Sequence, residues 1–260
     1  MITMAAQQHG TRALLAAGIL GVVAFGVAGC GRADADDAPV ERKSFAFSGE
    51  TLTVDSDDSA ITLVPADVKD VQVARQIDGW AVFGGGPEAT WKMQDGTLTL
   101  RVDCDGISSD CASRHTVKVP RGVAVNVDDD NGSVTASGFD TALKIRSDNG
   151  TVRITDSSGP LELDSDNGEV VTEGVTAKRV VATSDNGSVR LGLAAVPDRV
   201  ESASDNGEVL IELPGAGAPY AVSAKSDNGD IDVDVPTDDS SAHIVTARSD
   251  NGKVIVRTAN

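Results

Sequence analysis

Seven copies of one tripeptide hold the residues best placed to do chemistry. They are Asp130-Asn131-Gly132, Asp148-Asn149-Gly150, Asp166-Asn167-Gly168, Asp185-Asn186-Gly187, Asp205-Asn206-Gly207, Asp227-Asn228-Gly229 and Asp250-Asn251-Gly252. Ser precedes six of them (Ser147, Ser165, Ser184, Ser204, Ser226 and Ser249), and Asp129 takes that place in the first. Asp128 with Asp130, and Asp164 with Asp166, alternate as the first ligands of an EF-hand loop do, which is calcium chemistry. The other copies carry Arg146, Thr183, Ala203, Lys225 or Arg248 where the first acid is needed. Most also lack the later bidentate acid. Turn formation therefore explains the motif better than a metal does, and weak Ca2+ binding along the Asp column is the one cofactor expectation. Catalysis is less supported still. Beyond the first 30 residues the histidines are His115 and His243, with no serine-nucleophile motif before them. The acids recur in every copy instead of clustering once, so no catalytic residue is expected. A β-helix enzyme acting on polysaccharide is the weaker alternative.

The three cysteines divide by position. Residues 1–12 carry Arg12 and no acid, and Ala13 to Gly29 is a 17-residue apolar run ending at Cys30. A basic start, an apolar stretch and small residues before a cleavage point describe a secretory signal. Val27-Ala28-Gly29-Cys30 resembles the bacterial lipobox. That resemblance implies removal of residues 1–29, acylation of Cys30, and membrane attachment on the extracytoplasmic face, each buried CH2 adding about 0.8 kcal/mol. Residues 30–44 are polar and read as a tether. Cys104 and Cys111 would then lie in an oxidising compartment, where a disulfide is the expected outcome. Zinc would need more ligands than the neighbouring His115 adds.

The elements that carry these residues have period two. Two residues after each Gly stands Val134, Val152, Val170, Val189, Val209, Ile231 or Val254. Four residues before each Ser position stands Val125, Leu143, Leu161, Val180, Val200, Val222 or Val245. Alternation on both sides of a fixed corner is strand, and its parity turns the Ser inward with the apolar residues. The glycines are 18, 18, 19, 20, 22 and 23 residues apart, which points to stacked coils. The fold class expected is all-β: a parallel β-solenoid of about seven regular coils over residues 123–260. Residues 45–122 would form a less regular β cap at its N-terminal end, within one domain of residues 45–260. Within that cap, Asp55-Ser56-Asp57-Asp58-Ser59 looks like a degenerate corner, and Trp91–Met93 with Thr97–Thr99 forms a hairpin through Gln94-Asp95-Gly96. Coils ~4.8 Å apart make columns. The Asp column would run in sequence order from Asp130 to Asp227 and then Asp250, each adjacent pair repelling by about 0.9 kcal/mol in water. The Asn column could form an amide ladder. Arg146 would sit beside Asp164. Asn and Gly at the corner tolerate a left-handed backbone.

Composition narrows the partners. The formal charge is −18 and aromatics make up 3% of 260 residues. Such a surface repels phosphates, so no nucleic acid partner is expected. Val, Leu, Ile and Ala must build the core. The entry Thr116-Val117-Lys118-Val119-Pro120-Arg121-Gly122 and the following Ser-Asp-Asn-Gly-x-Val units resemble the bacterial β-strand-repeat domains of unknown function that carry an adhesin label. The likeness spans most of residues 45–260. It implies an exported or membrane-attached, non-enzymatic protein with no catalytic residues to carry over. Together these readings give a lipid-anchored surface β-solenoid, an adhesin or envelope scaffold. Its partners would be the membrane through Cys30 and an envelope protein or glycan, with binding expected where Trp80, Trp91 and Gly84–Gly86 break the repeat.

Overall fold

The computed structural model describes residues 33–83, 86–104, 107–215 and 219–259; residues 1–32, with Cys30 and the signal-like run, lie outside the described residues, as do Gly84 and Gly85. After a short 3-10 turn (Ala35–Asp37) the N-terminal strands are β1 (Glu41–Phe45), β2 (Thr51–Ser56), β3 (Ala60–Ala66), β4 (Val71–Phe83), β5 (Glu88–Gln94), β6 (Thr97–Asp103) and β7 (Ile107–Pro120). The repeats give two strands each. They are β8 (Ala124–Asp129) and β9 (Val134–Ser137), β10 (Leu143–Ser147) and β11 (Val152–Thr155), β12 (Leu161–Ser165) and β13 (Val170–Val175), β14 (Arg179–Ser184) and β15 (Val189–Leu193). The last three pairs are β16 (Arg199–Ser204) and β17 (Val209–Leu213), β18 (Ala221–Ser226) and β19 (Ile231–Asp234), β20 (Ile244–Ser249) and β21 (Val254–Thr258).

Each repeat is one coil, with its first strand in one sheet and its second in the sheet opposite. The 10-stranded sheet runs β18-β20-β16-β14-β12-β10-β8-β2-β6-β5, and the 11-stranded sheet runs β1-β4-β7-β3-β9-β11-β13-β15-β17-β21-β19. Neighbouring coils pair parallel and in register, Leu143 opposite Leu161 and Val152 opposite Val170. The fold is the expected parallel solenoid. Alternation makes it so: β10 is buried at every second residue, and Val125, Leu143, Leu161, Val180 and Val200 are at most 2% exposed. Each fully buried Val or Leu contributes about 1.5–3 kcal/mol. The bulkiest buried rings, Phe139 and Tyr220, sit at the return corners, away from the facing strands. There the Tyr220 hydroxyl donates to Pro214 O (3.1 Å) and Ser157 Oγ accepts from Phe139 N (3.1 Å).

The stacking order departs from chain order at both ends. The β2–β3 coil stacks directly on the β8–β9 coil. Its corner is the degenerate copy: Asp130 N donates to Ser56 O and Asn131 N to Asp57 O. The intervening β6 and β7 lie beyond it. At the other end the last coil in sequence, β20–β21, is inserted between β16–β17 and β18–β19. The Asp column therefore runs from Asp205 to Asp250 and then to Asp227, which corrects the sequence order. Corner contacts, identical in every copy, cannot distinguish which coil is next; the return loops do.

The N-terminal end is closed by antiparallel strands. β4 pairs with β7, and β1 with β4, over one sheet; β5 pairs with β6 at the edge of the other. The β5–β6 hairpin turns at Asp95 and Gly96, whose φ of 50° and 78° is left-handed, as its Asp-Gly pair demands. The tether expected through residue 44 is shorter. Ala33 N donates to Asp110 Oδ2 and Asp34 N to Asp78 Oδ2 (both 3.0 Å), Gln76 donates to Asp36 O, and Ala35 is buried. Edge groups of β4 and the β7 side chains satisfy this polar segment, so it packs instead of floating free.

Candidate functional site

Every residue of the repeated corner has a distinct task. Ser147, Ser165, Ser184 and Ser204 are buried, and each accepts from the N–H of its own Gly at 2.8–2.9 Å. All six corner serines donate to the Gly carbonyl of the adjoining coil at 2.8–3.4 Å. One hydroxyl thus closes a turn and fastens two coils. The Asn side chains form the amide ladder: Asn149 donates to Asn131, Asn167 to Asn149, Asn186 to Asn167, Asn206 to Asn186, Asn251 to Asn206 and Asn228 to Asn251, at 2.8–3.0 Å. It ends on Asp58 Oδ1, which accepts from Asn131.

The glycines are needed for closeness, not handedness. None of the seven has positive φ, which corrects the left-handed expectation. A Cβ on Gly150, Gly168, Gly187, Gly207, Gly252 or Gly229 would lie 1.6–2.1 Å from the carbonyl oxygen of the Gly one coil away.

The Asp side chains stand at the surface, and Asp148, Asp166, Asp227 and Asp250 lie beside cations. Arg146 lies 3.1 Å from both Asp164 and Asp166 and 3.7 Å from Asp148. Lys225 pairs with Asp227 (2.9 Å) and Arg248 with Asp250 (3.0 Å). The Lys225 hydrogen bond and charge, with Arg248, hold the Asp227 carboxyl below its ordinary range. Of the calcium candidates, Asp164 and Asp166 are thus engaged by one guanidinium, and Asp128 faces Arg146 across the strand pair. Among the described residues, no group of three or more His, Cys, Asp or Glu is placed to hold a metal ion.

One corner is chemically different. Asp129 is 1% exposed; its Oδ2 accepts from Gly132 N at 2.6 Å while Oδ1 has no partner. Burial pushes this carboxyl up to about 7, against the pull of Ser56 and the Gly132 amide and with a further push from Asp130 and Asp58. Once protonated it owns a hydroxyl, and so matches the donor and acceptor set of the serines.

The face that breaks the repeat is the N-terminal cap. A cleft of 740 Å³ opens there, lined by Asp57, Asp58, Glu88, Arg101, Asp110 and the Cys104–Cys111 disulfide among others. The expected disulfide is formed, Cα to Cα 6.3 Å. Arg101 is the cation of the cleft wall and is already engaged: it donates to Asp55 Oδ1 (2.8 Å) and Asp55 O (2.9 Å) and lies 3.7 Å from Asp57. Below the cap His115 is 1% exposed, with both ring nitrogens unpartnered, and burial beside Arg75 lowers it to about 4. Trp91 does not offer a free ring. It meets Phe45 edge-on (6.2 Å), and the Arg75 guanidinium stacks over it at 4.1 Å. The Trp91–Arg75 stack and the cleft acids Asp57 and Asp58 were not legible as a cluster, because β2, β4 and β5 meet only through the crossed strand order. Among the described residues no helix is long and apolar enough to cross a membrane.

A capped, two-sheeted parallel solenoid whose coils are fastened by a repeated Asp-Asn-Gly corner, preceded by Ser in six of seven copies, defines the class. The chain belongs to the Toastrack DUF4097 family, whose model matches residues 50–260. No curated protein matches it. Among solved structures it is similar to a Bacteroides fragilis protein provisionally named an adhesin, at 16% identity and a TM-score of 0.52, covering 85% of this chain and 97% of that one. A Parabacteroides distasonis protein with the same provisional name shows 14% identity and a TM-score of 0.48, covering 86% and 98%. At such identity the likeness concerns the fold.

Proposed function

We propose that this protein is a non-enzymatic, lipid-anchored β-solenoid at the extracytoplasmic face of the membrane that binds an envelope or surface partner through its N-terminal cap. The observation that carries the reading is the contrast between the two parts of the molecule. The corner serines and asparagines spend their hydrogen bonds on the neighbouring coils, whereas the cap, among the described residues, carries a cleft, a disulfide and a charged aromatic stack. The provisional adhesin naming of the Bacteroides fragilis relative supports the same reading. Cys30, eleven residues before β1, supplies the anchor. Two measurements test the proposal. Cells making the full chain are fed an alkyne-tagged palmitate: label in wild type, and none with release from the membrane in Cys30→Ala, is expected, and unlabelled wild type overturns the anchor. Immobilised residues 33–260, which contain the entire core, are then probed with purified envelope glycans and surface proteins, with calcium and with chelator. Capture that Glu88→Lys or Asp110→Lys abolishes supports binding through the cap; capture indifferent to both, or none, overturns it.

A further inference from the structure

All seven corners contain the dipeptide Asn-Gly with Asp before it, so local sequence gives them one reactivity. Asn is a thermolabile residue. In an Asn-Gly step the backbone nitrogen of the Gly can attack the side-chain amide carbon of the Asn, because no Cβ blocks the approach. The attack closes a five-membered imide and expels the side-chain nitrogen. A corner whose amide groups are hydrogen-bonded must open before it can react. The fold therefore decides which of the seven reacts.

Six corners are held from both sides. The backbone N–H of Asn131, Asn149, Asn167, Asn186, Asn206 and Asn251 donates to an Asp carbonyl of the adjoining coil at 2.7–2.9 Å. The side-chain Oδ1 of each of these six accepts from the next Asn of the ladder. The Gly carbonyl that follows each accepts from a corner Ser. The seventh corner has none of the three. Asn228 keeps its side-chain donations, to Asn251 Oδ1 (3.0 Å) and Asp250 O (3.2 Å). Among the described residues nothing donates to Asn228 Oδ1 or Gly229 O, and neither Asn228 N nor Gly229 N has an acceptor. Its coil stands at the end of both sheets. Gly229 is exposed, whereas Gly132, Gly150 and Gly168 are buried and Gly187, Gly207 and Gly252 half-buried. At this corner alone the attacking nitrogen and the amide it attacks are free to turn toward each other.

We propose that Asn228 is a site of spontaneous deamidation and the first of the seven to react. Solvent base takes the Gly229 amide proton, the nitrogen bonds to Asn228 Cγ, the Cγ–Nδ2 bond breaks and ammonia leaves. Water then opens the imide at either carbonyl, leaving an aspartyl or isoaspartyl linkage at position 228. The product sets a carboxylate where the ladder needs an amide donor, between Asp227 and Asp230 in a coil with one Lys, and the rung onto Asn251 is lost. The test follows residues 33–260, which contain the entire core, folded in mildly alkaline buffer. Peptide mass spectrometry reads the mass gain and the isoaspartyl linkage at each Asn-Gly over time. Asn228 is expected to react roughly tenfold faster than any of the other six, since each hydrogen bond missing from its corner shifts an opening equilibrium by about twofold to tenfold. In denaturant all seven are expected to react at like rates, which assigns the difference to the fold. Equal rates at the seven corners of the folded chain overturn the proposal. So does earlier reaction at any other corner, or an Asn228 that stays intact in the folded protein while the denatured chain deamidates.

Discussion

At the scale of single residues, the molecule has little tolerance where coils touch. A methyl at Gly168 would sit 1.8 Å from Gly150 O, with no flexible side chain to yield. Gly168→Ala is expected to cost about 3 kcal/mol in urea unfolding, the upper range for overpacking, while Gly86→Ala, with nothing within 4 Å, changes nothing measurable. Asp129 sets a pH dependence of definite sign. Its carboxyl is raised to about 7 in the folded chain from an ordinary 3.8. A raised carboxylate costs nothing below about 4, costs progressively more as pH rises to about 7, and a constant amount above. Asp129→Ser, which restores the residue of the other six corners, should remove that slope and stabilise the protein at pH 8 by roughly 2–4 kcal/mol. His115 acts in the opposite sense. Lowered to about 4, it costs stability as pH falls from 6.5 to 4, so His115→Val should flatten the acid limb of thermal melts. The departure of Asp129 from Ser was visible in the sequence, but its consequence needed its burial against Ser56 and Asp58, a contact made by a coil 70 residues upstream.

At the scale of the coil, the corner's periodicity made strand, turn and stacking readable before any coordinates, since burial of every second residue and a fixed Ser-to-Gly spacing are local facts. Order was not readable. Identical corners accept any neighbour, so the placement of β20–β21 ahead of β18–β19 depends on the 235–243 return segment and its contacts, such as the Tyr220–Thr237 bridge. The same interchangeability is testable. Deleting residues 151–168 removes one whole coil and rejoins Gly150 to Glu169 in phase. Because stability in stacked repeats is a sum of neighbour terms, this variant should fold with an unchanged β spectrum and a single unfolding transition. Deleting half that length removes one strand of a coil, leaves a gap in one sheet opposite a filled one, and should destabilise the fold strongly.

At the scale of the whole molecule, the net charge of −18 is spread over corners and cap, with Arg146, Lys225 and Arg248 as scattered counter-charges. Self-repulsion at this density is screened by salt. Raising NaCl should therefore raise the melting temperature, and calcium should act no more strongly than magnesium at equal concentration. An excess effect of calcium would restore the Asp column as a metal site. The cap and its cleft were the least legible part of the molecule, because antiparallel strands spanning 41–120 cross one another in an order no periodicity encodes.

The inserted coil also governs how the chain comes to be finished. Synthesis delivers β18–β19 before the coil on which they must rest, so for an interval the growing protein has their seat on β16–β17 available and equally acceptable to the corner groups. The coil synthesised after them, β20–β21, is the wedge that belongs in that seat. The order of synthesis thus has a physical consequence: a chain halted before Ile244 can stack in simple order, and one that includes β20–β21 cannot do so without leaving that coil outside. Truncation after His243 should accordingly yield a folded but re-ordered end, detectable as retained hydrogen-exchange protection of the Val209 amide, which donates to Lys253 O in the full chain and would then find its acceptor at the start of β19.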